Sequence, residues 1–126
     1  MFESCCGSSA DNLGDSAGEM AALGAVNLGT GRTAVAVSLG NHHSCAALDN
    51  GDLKCWGLGS EGRLGSDATD TLGDSAGEMA ALSAVNLGSG RTAVAVSTGM
   101  AHTCVVLDTG DLKCFGSGAE GRLGYE

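Results

Sequence analysis

Between Thr33 and Ser38 the chain reads Thr-Ala-Val-Ala-Val-Ser, with β-branched residues in alternation and a stop at Gly40. That period-2 pattern predicts a half-buried strand. The same pattern returns from Thr92 to Ser97. After the first strand come His43-Ser44-Cys45-Ala46-Ala47-Leu48, then Asp49-Asn50-Gly51, then Asp52-Leu53-Lys54-Cys55-Trp56. This order predicts two strands around a three-residue turn, with Gly51 at the position that needs positive φ. Val26-Asn27-Leu28 and Val85-Asn86-Leu87 predict one further short strand each, about four strands per unit. The stretch Leu13 to Leu23 carries Ala17, Met20, Ala21, Ala22 and Leu23 at spacings that would suit a helical turn, but an ordered connecting loop is the preferred reading.

The pattern is a repeat. Leu13 to Gly65 aligns without a gap with Leu72 to Gly124 at a constant offset of 59 residues, and only about a quarter of the positions differ. Each copy is therefore one supersecondary unit in a duplicated array. The expected organisation is an N-terminal segment at 1–12, disordered, a first repeat at 13–65, and a second at 66–126 that stops short at its C-terminal end. Composition agrees, because 22 glycines among 126 residues, no proline and few aromatics suit short strands joined by tight turns. The length is enough to bury one modest core.

Charge narrows the partner class. A formal net charge of −9 with only six Lys and Arg opposes phosphate backbones, so direct nucleic-acid binding is not expected. An acidic surface would favour a basic protein partner, although solubility alone accounts for it. No apolar window is long enough for a membrane helix. Met1-Phe2-Glu3-Ser4-Cys5-Cys6 lacks the basic start and apolar run of a signal peptide.

Val35 to Gly40, His43-Ser44-Cys45-Ala46, Leu48-Asp49, Gly51, Cys55-Trp56-Gly57 and Gly62-Arg63-Leu64-Gly65 together resemble the signature of the regulator of chromosome condensation repeat. The copy Val94 to Gly99, His102-Thr103-Cys104, Leu107-Asp108, Gly110, Cys114-Phe115-Gly116 and Gly121-Arg122-Leu123-Gly124 matches as well. The resemblance implies an all-β fold in which each repeat is a blade of four antiparallel strands, with about seven blades closing a β-propeller ring. Two blades make an incomplete ring, so either further repeats or other copies of the chain would be needed to close it. Arg63 and Arg122 stand where family members usually carry glutamine, and the loop at Gly14 to Gly18 is longer than the usual connection.

Candidate chemistry begins with the six cysteines. Cys45 and Cys55 lie symmetrically about Asn50, and Cys104 and Cys114 about Thr109, so each pair should face across its hairpin at a separation a disulfide tolerates. Paired cysteines favour an extracellular or otherwise oxidising compartment, whereas buried free thiols would fit a reducing one. Cys5-Cys6 cannot readily bridge to itself. His43 and His102 recur beside Cys45 and Cys104, with His42 as a further donor, yet the spacing matches no common zinc pattern. The expectation is two structural histidines, each hydrogen-bonded within its own blade, as the resemblance also implies. Gly14-Asp15-Ser16-Ala17-Gly18 and Gly73-Asp74-Ser75-Ala76-Gly77 fit the nucleophile-elbow pattern, but neither follows a buried strand and the chain is short for that fold. The acids Asp11, Asp15, Glu19, Asp67, Asp70, Asp74 and Glu78 form no spaced calcium loop and read as a solvated rim. Trp56 and Phe115 occupy matching places and are expected to pack between blades.

These readings point to a non-enzymatic scaffold that binds another protein and needs no cofactor or metal. Two alternatives remain: regulation of a small GTPase by nucleotide exchange, which the resemblance implies for some members, and, remotely, a serine hydrolase using Ser16 or Ser75.

Overall fold

The computed structural model describes residues 12–125. The Cys5-Cys6 pair and nearly all of the N-terminal segment lie outside those residues. The order of elements is α1 (Glu19–Ala22), β1 (Ala34–Leu39), β2 (His43–Leu48), β3 (Leu53–Gly57), α2 (Glu78–Ala81), β4 (Ala93–Thr98), β5 (His102–Leu107) and β6 (Leu112–Gly116). Short 3-10 turns at Ser60–Gly62 and Ala119–Gly121 follow β3 and β6. The described chain is all-β apart from these single turns, and forms two antiparallel sheets ordered β1-β2-β3 and β4-β5-β6.

Local chemistry explains the hairpins. Gly51 sits at φ 88 and Gly110 at φ 89, where a side chain would be strained. Asn50 Oδ1 accepts the Asp52 amide at 3.1 Å, and Asp49 Oδ1 accepts the Thr33 amide at 2.9 Å, which ties the entry of β1 to the hairpin turn. Thr109 and Asp108 repeat both contacts. The turn fixes the register, so Cys45 pairs with Cys55 and Cys104 with Cys114.

The expected fourth strand does not form as a continuous element. Within Val26-Asn27-Leu28 and Val85-Asn86-Leu87, the Asn27 and Asn86 side chains accept the amides of Gly29 and Gly88 at 3.0 and 3.1 Å, and these Asx turns compete with a ladder. The edge of β3 is instead covered in pieces. Gly57 and Leu72 exchange two backbone hydrogen bonds at 2.8 and 3.0 Å, and the Val85 amide donates to the Leu53 carbonyl at 2.7 Å. Residues 73–84, including α2, loop out between those two contacts. The first sheet thus receives its outer cover from the second sequence copy. The stretch read as an ordered loop does contain one helical turn per copy.

The core lies between the sheets. Cys45, Ala47, Leu53, Cys55 and Leu64 from the first copy pack with Leu87, Ala93, Val105 and Leu107 from the second. The alternation of β1 does not bury its valines as expected. Val35, Val37 and Leu39 are exposed, because they face away from the second sheet, whereas Val96 on β4 packs against the core.

Candidate functional site

His43 opens β2 and is buried at 3 % exposure. Its Nε2 lies 2.8 Å from Thr103 Oγ1 on β5, and that hydroxyl donates to the Arg63 carbonyl at 2.9 Å. A hydroxyl has one proton, so Thr103 must accept from His43, which fixes the Nε2–H form of the imidazole. The expected bond within the blade is therefore replaced by one between blades. The reason is geometric: Ser44, the hydroxyl next to His43, is on the strand's opposite face, while Thr103 projects from the facing sheet. Burial, aided by the nearby Arg63 and His102, lowers the His43 pKa and holds the ring neutral. Its Nδ1 is buried without a hydrogen-bond partner. Gly40 makes room for the ring, since a Cβ there would stand 2.5 Å from His43 Cε1 and 2.6 Å from the Gly99 carbonyl oxygen. His102 occupies the matching place on β5 and is less buried.

Arg63 completes the contact and was not singled out as a contact residue from sequence. Its side chain is nearly buried, Nε donates to the Ser60 carbonyl at 3.0 Å, one terminal nitrogen to the Met100 carbonyl at 3.2 Å, and the other to Glu61 at 3.1 Å. The Met100 bond crosses from the first copy to the second. The departure from glutamine at this position was the available signal, because a guanidinium supplies more donors in a planar fork. Arg122 keeps the local bonds to Ala119 and Glu120 but is more exposed. Ser38 and Thr98 add a hydroxyl pair at 2.9 Å beside them.

The four hairpin cysteines are brought together as pairs. Cys45 joins Cys55 and Cys104 joins Cys114 as cross-strand disulfides, with Cα separations of 4.1 and 4.0 Å. The Gly-Asp-Ser-Ala-Gly segments take a different form from a nucleophile elbow. Glu78 Oε2 accepts the amides of Gly73, Asp74 and Ser75 at 2.9 to 3.0 Å, and Glu19 Oε2 accepts those of Gly14 and Ser16 at 2.9 Å. These amide bonds hold the Glu78 pKa below its ordinary value. Ser16 and Ser75 face their neighbouring Asp15 and Asp74 at 3.4 and 3.5 Å, with no imidazole bonded to either. The segment is a loop tied to its own carboxylate.

Two clefts border the second of these loops. One of about 460 Å³ is lined by Leu64, Leu72, Leu82 and Val85 together with Asp70 and Glu78. A shallower one of about 410 Å³ is lined by His42, Trp56, Leu58 and Thr71 among others. Phe115 packs against the inter-sheet core as expected, but Trp56 is half-buried on the outer face of the first sheet. Among the described residues no three His, Cys, Asp or Glu side chains gather as a metal cluster would require.

The family model described as "Regulator of chromosome condensation (RCC1) repeat" matches residues 34–63 and 93–122, one match per sheet. The chain belongs to the RCC1 repeat family. E3 ubiquitin-protein ligase MYCBP2 of Danio rerio is 36% identical over 101 residues, which are 80% of this chain and 2% of that protein. Two solved RCC1-family propellers share the fold. Prp20p of Saccharomyces cerevisiae superposes with a TM-score of 0.58 at 24% identity, over 76% of this chain and 21% of that one. Human WBSCR16 gives 0.60 at 19% identity, over 75% and 23%. The chain thus spans under a quarter of each of these propellers, as two blades of an unclosed ring would.

Proposed function

We propose that this pair of RCC1 blades is a non-enzymatic scaffold that holds loops out to another protein. One observation carries the reading. Of the groups that could do chemistry, His43 and the buried Arg63 are engaged between the blades and the hairpin cysteines are closed within each blade, while each blade presents the same exposed, carboxylate-tied loop. Relatives support a protein partner: Prp20p has been described with its binding to Gsp1p and histones, and yeast RCC1 with Kap60 bound. The acidic balance of the chain favours a partner with a basic face. Regulation of a small GTPase by a longer parent rests on the family alone, and accelerated nucleotide release by that parent would support it.

The test combines a loop variant with an activity control. Replacing Glu19 and Glu78 by Ala frees the amides of both loops without touching the inter-blade core. A protein captured by the wild-type chain should then bind at least tenfold more weakly, at unchanged thermal stability. Binding that survives the double variant would refute the loop assignment. Ester cleavage abolished by Ser16→Ala or Ser75→Ala would refute the scaffold reading itself.

A further inference from the structure

The larger cleft lies where the first copy meets the second, and backbone contacts fix its frame. On one side Gly59 leaves no room for a Cβ beneath the Asp70 carbonyl, which pins the segment after Leu64 in place. On the other, Leu72 bonds to Gly57 and the Val85 amide donates to the Leu53 carbonyl at 2.7 Å, so the stretch between them is held at both ends. The space enclosed, about 460 Å³, falls within the roughly 300–1,000 Å³ of preformed ligand sites.

The lining pairs two chemistries. Leu64 and Leu82 are 1% and 9% exposed, whereas Asp67 and Asp70 are exposed to water. Glu78 adds a third carboxylate, kept ionised by the three amides that bond its Oε2. No Lys, Arg or His stands among the described residues that line the cleft. The chain's six cations are engaged elsewhere. Arg32, Arg63, Arg91 and Arg122 pair with Asp49, Glu61, Asp108 and Glu120, and Lys54 and Lys113 donate to the Leu28 and Leu87 carbonyls. A group that complements the cleft is therefore apolar along its stem and cationic at its end, as arginine and lysine side chains are.

On the reading that the partner is a protein, we infer that this cleft docks an exposed segment of that partner carrying an arginine or lysine beside an aliphatic residue. The aliphatic group packs on Leu64 and Leu82, and the cation is held by the carboxylates of Asp67, Asp70 and Glu78. A guanidinium suits the site best, because its planar fork can meet two carboxylate oxygens at once. Acidic segments are repelled by the same three charges.

The experiment titrates the isotope-labelled full chain, disulfides intact, with an acetylated and amidated Gly-Leu-Arg-Gly peptide and follows the backbone amide shifts. Saturable shifts should concentrate at 64–70 and 81–86, with a Kd on the order of 100 µM at low salt, and should weaken as ionic strength rises. Glutamate in place of the peptide's arginine, or glycine in place of its leucine, should weaken binding about tenfold or more. Ala81→Lys, at an exposed position lining the cleft, supplies a cation from within and should weaken it by about the same factor. Asp67→Asn with Asp70→Asn removes two charges and should cost about fivefold, and asparagine tolerates the φ of 61 at position 67. The amide spectra of the variants should otherwise match the wild type, which reports an intact fold. No saturable shifts at about 1 mM peptide, shifts scattered over the acidic surface, or a Kd untouched by Ala81→Lys would each overturn the proposal. Equal binding of the peptide without arginine would also overturn it and assign the cleft to apolar ligands. The scaffold reading fails separately. A captured protein that loses affinity when Glu19 and Glu78 are replaced, but not with Asp67→Asn and Asp70→Asn, leaves the loops as the docking surface and removes the cleft.

Discussion

Removing a single hydroxyl tests the inter-blade contact most directly. Thr103→Val keeps the shape of a side chain that is 0% exposed, and takes away the acceptor for His43 Nε2–H and the donor to the Arg63 carbonyl. Leaving a buried polar group unsatisfied costs about 1–3 kcal/mol. The imidazole N–H loses its acceptor and should cost towards the upper end, whereas the Arg63 carbonyl, which accepts from the Thr103 hydroxyl, should cost less because an under-satisfied carbonyl is better tolerated than an orphaned N–H. The gain from an added methyl offsets roughly 0.8 kcal/mol, which leaves a net loss of about 2–3 kcal/mol, a large share of the roughly 5–15 kcal/mol typical of a folded domain. Ser44→Ala removes the matching hydroxyl from β2, where no partner blade is docked within the chain, and should stay within about 0.5 kcal/mol. Urea unfolding followed by circular dichroism measures both. Equal shifts for the two substitutions, or a Thr103→Val loss below about 0.5 kcal/mol, would refute the account of a buried, fully engaged hydroxyl.

Two further outcomes follow from the same contact. His43 has its pKa lowered by burial from an ordinary 6.5, so the unfolded chain binds more protons below that value and stability falls as pH drops through it, levelling off once the folded-state pKa is passed. His43→Gln should flatten the decline between pH 7 and about pH 5 in thermal melts, and an unchanged slope would exclude His43 as its source. Gly40→Ala puts a methyl group against the His43 ring and the Gly99 carbonyl and should cost about 1–3 kcal/mol as an overpacked site, whereas Gly99→Ala meets only the less confined His102 ring and should cost less. Equal melting temperatures for those two variants would count against the close approach of the two sheets at Gly40.

The hairpins were legible because their information is local. Asp49-Asn50-Gly51 sets the turn, the turn sets the register, and the register alone puts Cys45 opposite Cys55 and Cys104 opposite Cys114. The fixed offset of 59 residues likewise announced two equivalent units, and the ordered glycines identified the repeat family. The strand starts were displaced by one residue, from Thr33 to Ala34 and from Thr92 to Ala93, because the Thr amides donate to Asp side chains of the turn instead of joining the ladder. The expected fourth strand failed where Asn27 and Asn86 offered their side chains to the backbone, a local competition that apolar flanks concealed.

What sequence by itself determined is everything that repeats: the hairpin, its turn, the paired cysteines and the carboxylate-tied loop occur alike in both copies. Only the tertiary structure decided what differs between them. Leu53 and Leu112 have identical neighbours along the chain, yet one is buried and the other exposed, and Arg63 bridges two blades while Arg122 keeps only its own turn. Burial and hydrogen-bond partners depend on what is docked opposite, at sequence separations of 37 and 60 residues. Identical sequence cannot encode that difference locally, because it is the stacking of one blade on the next that creates it.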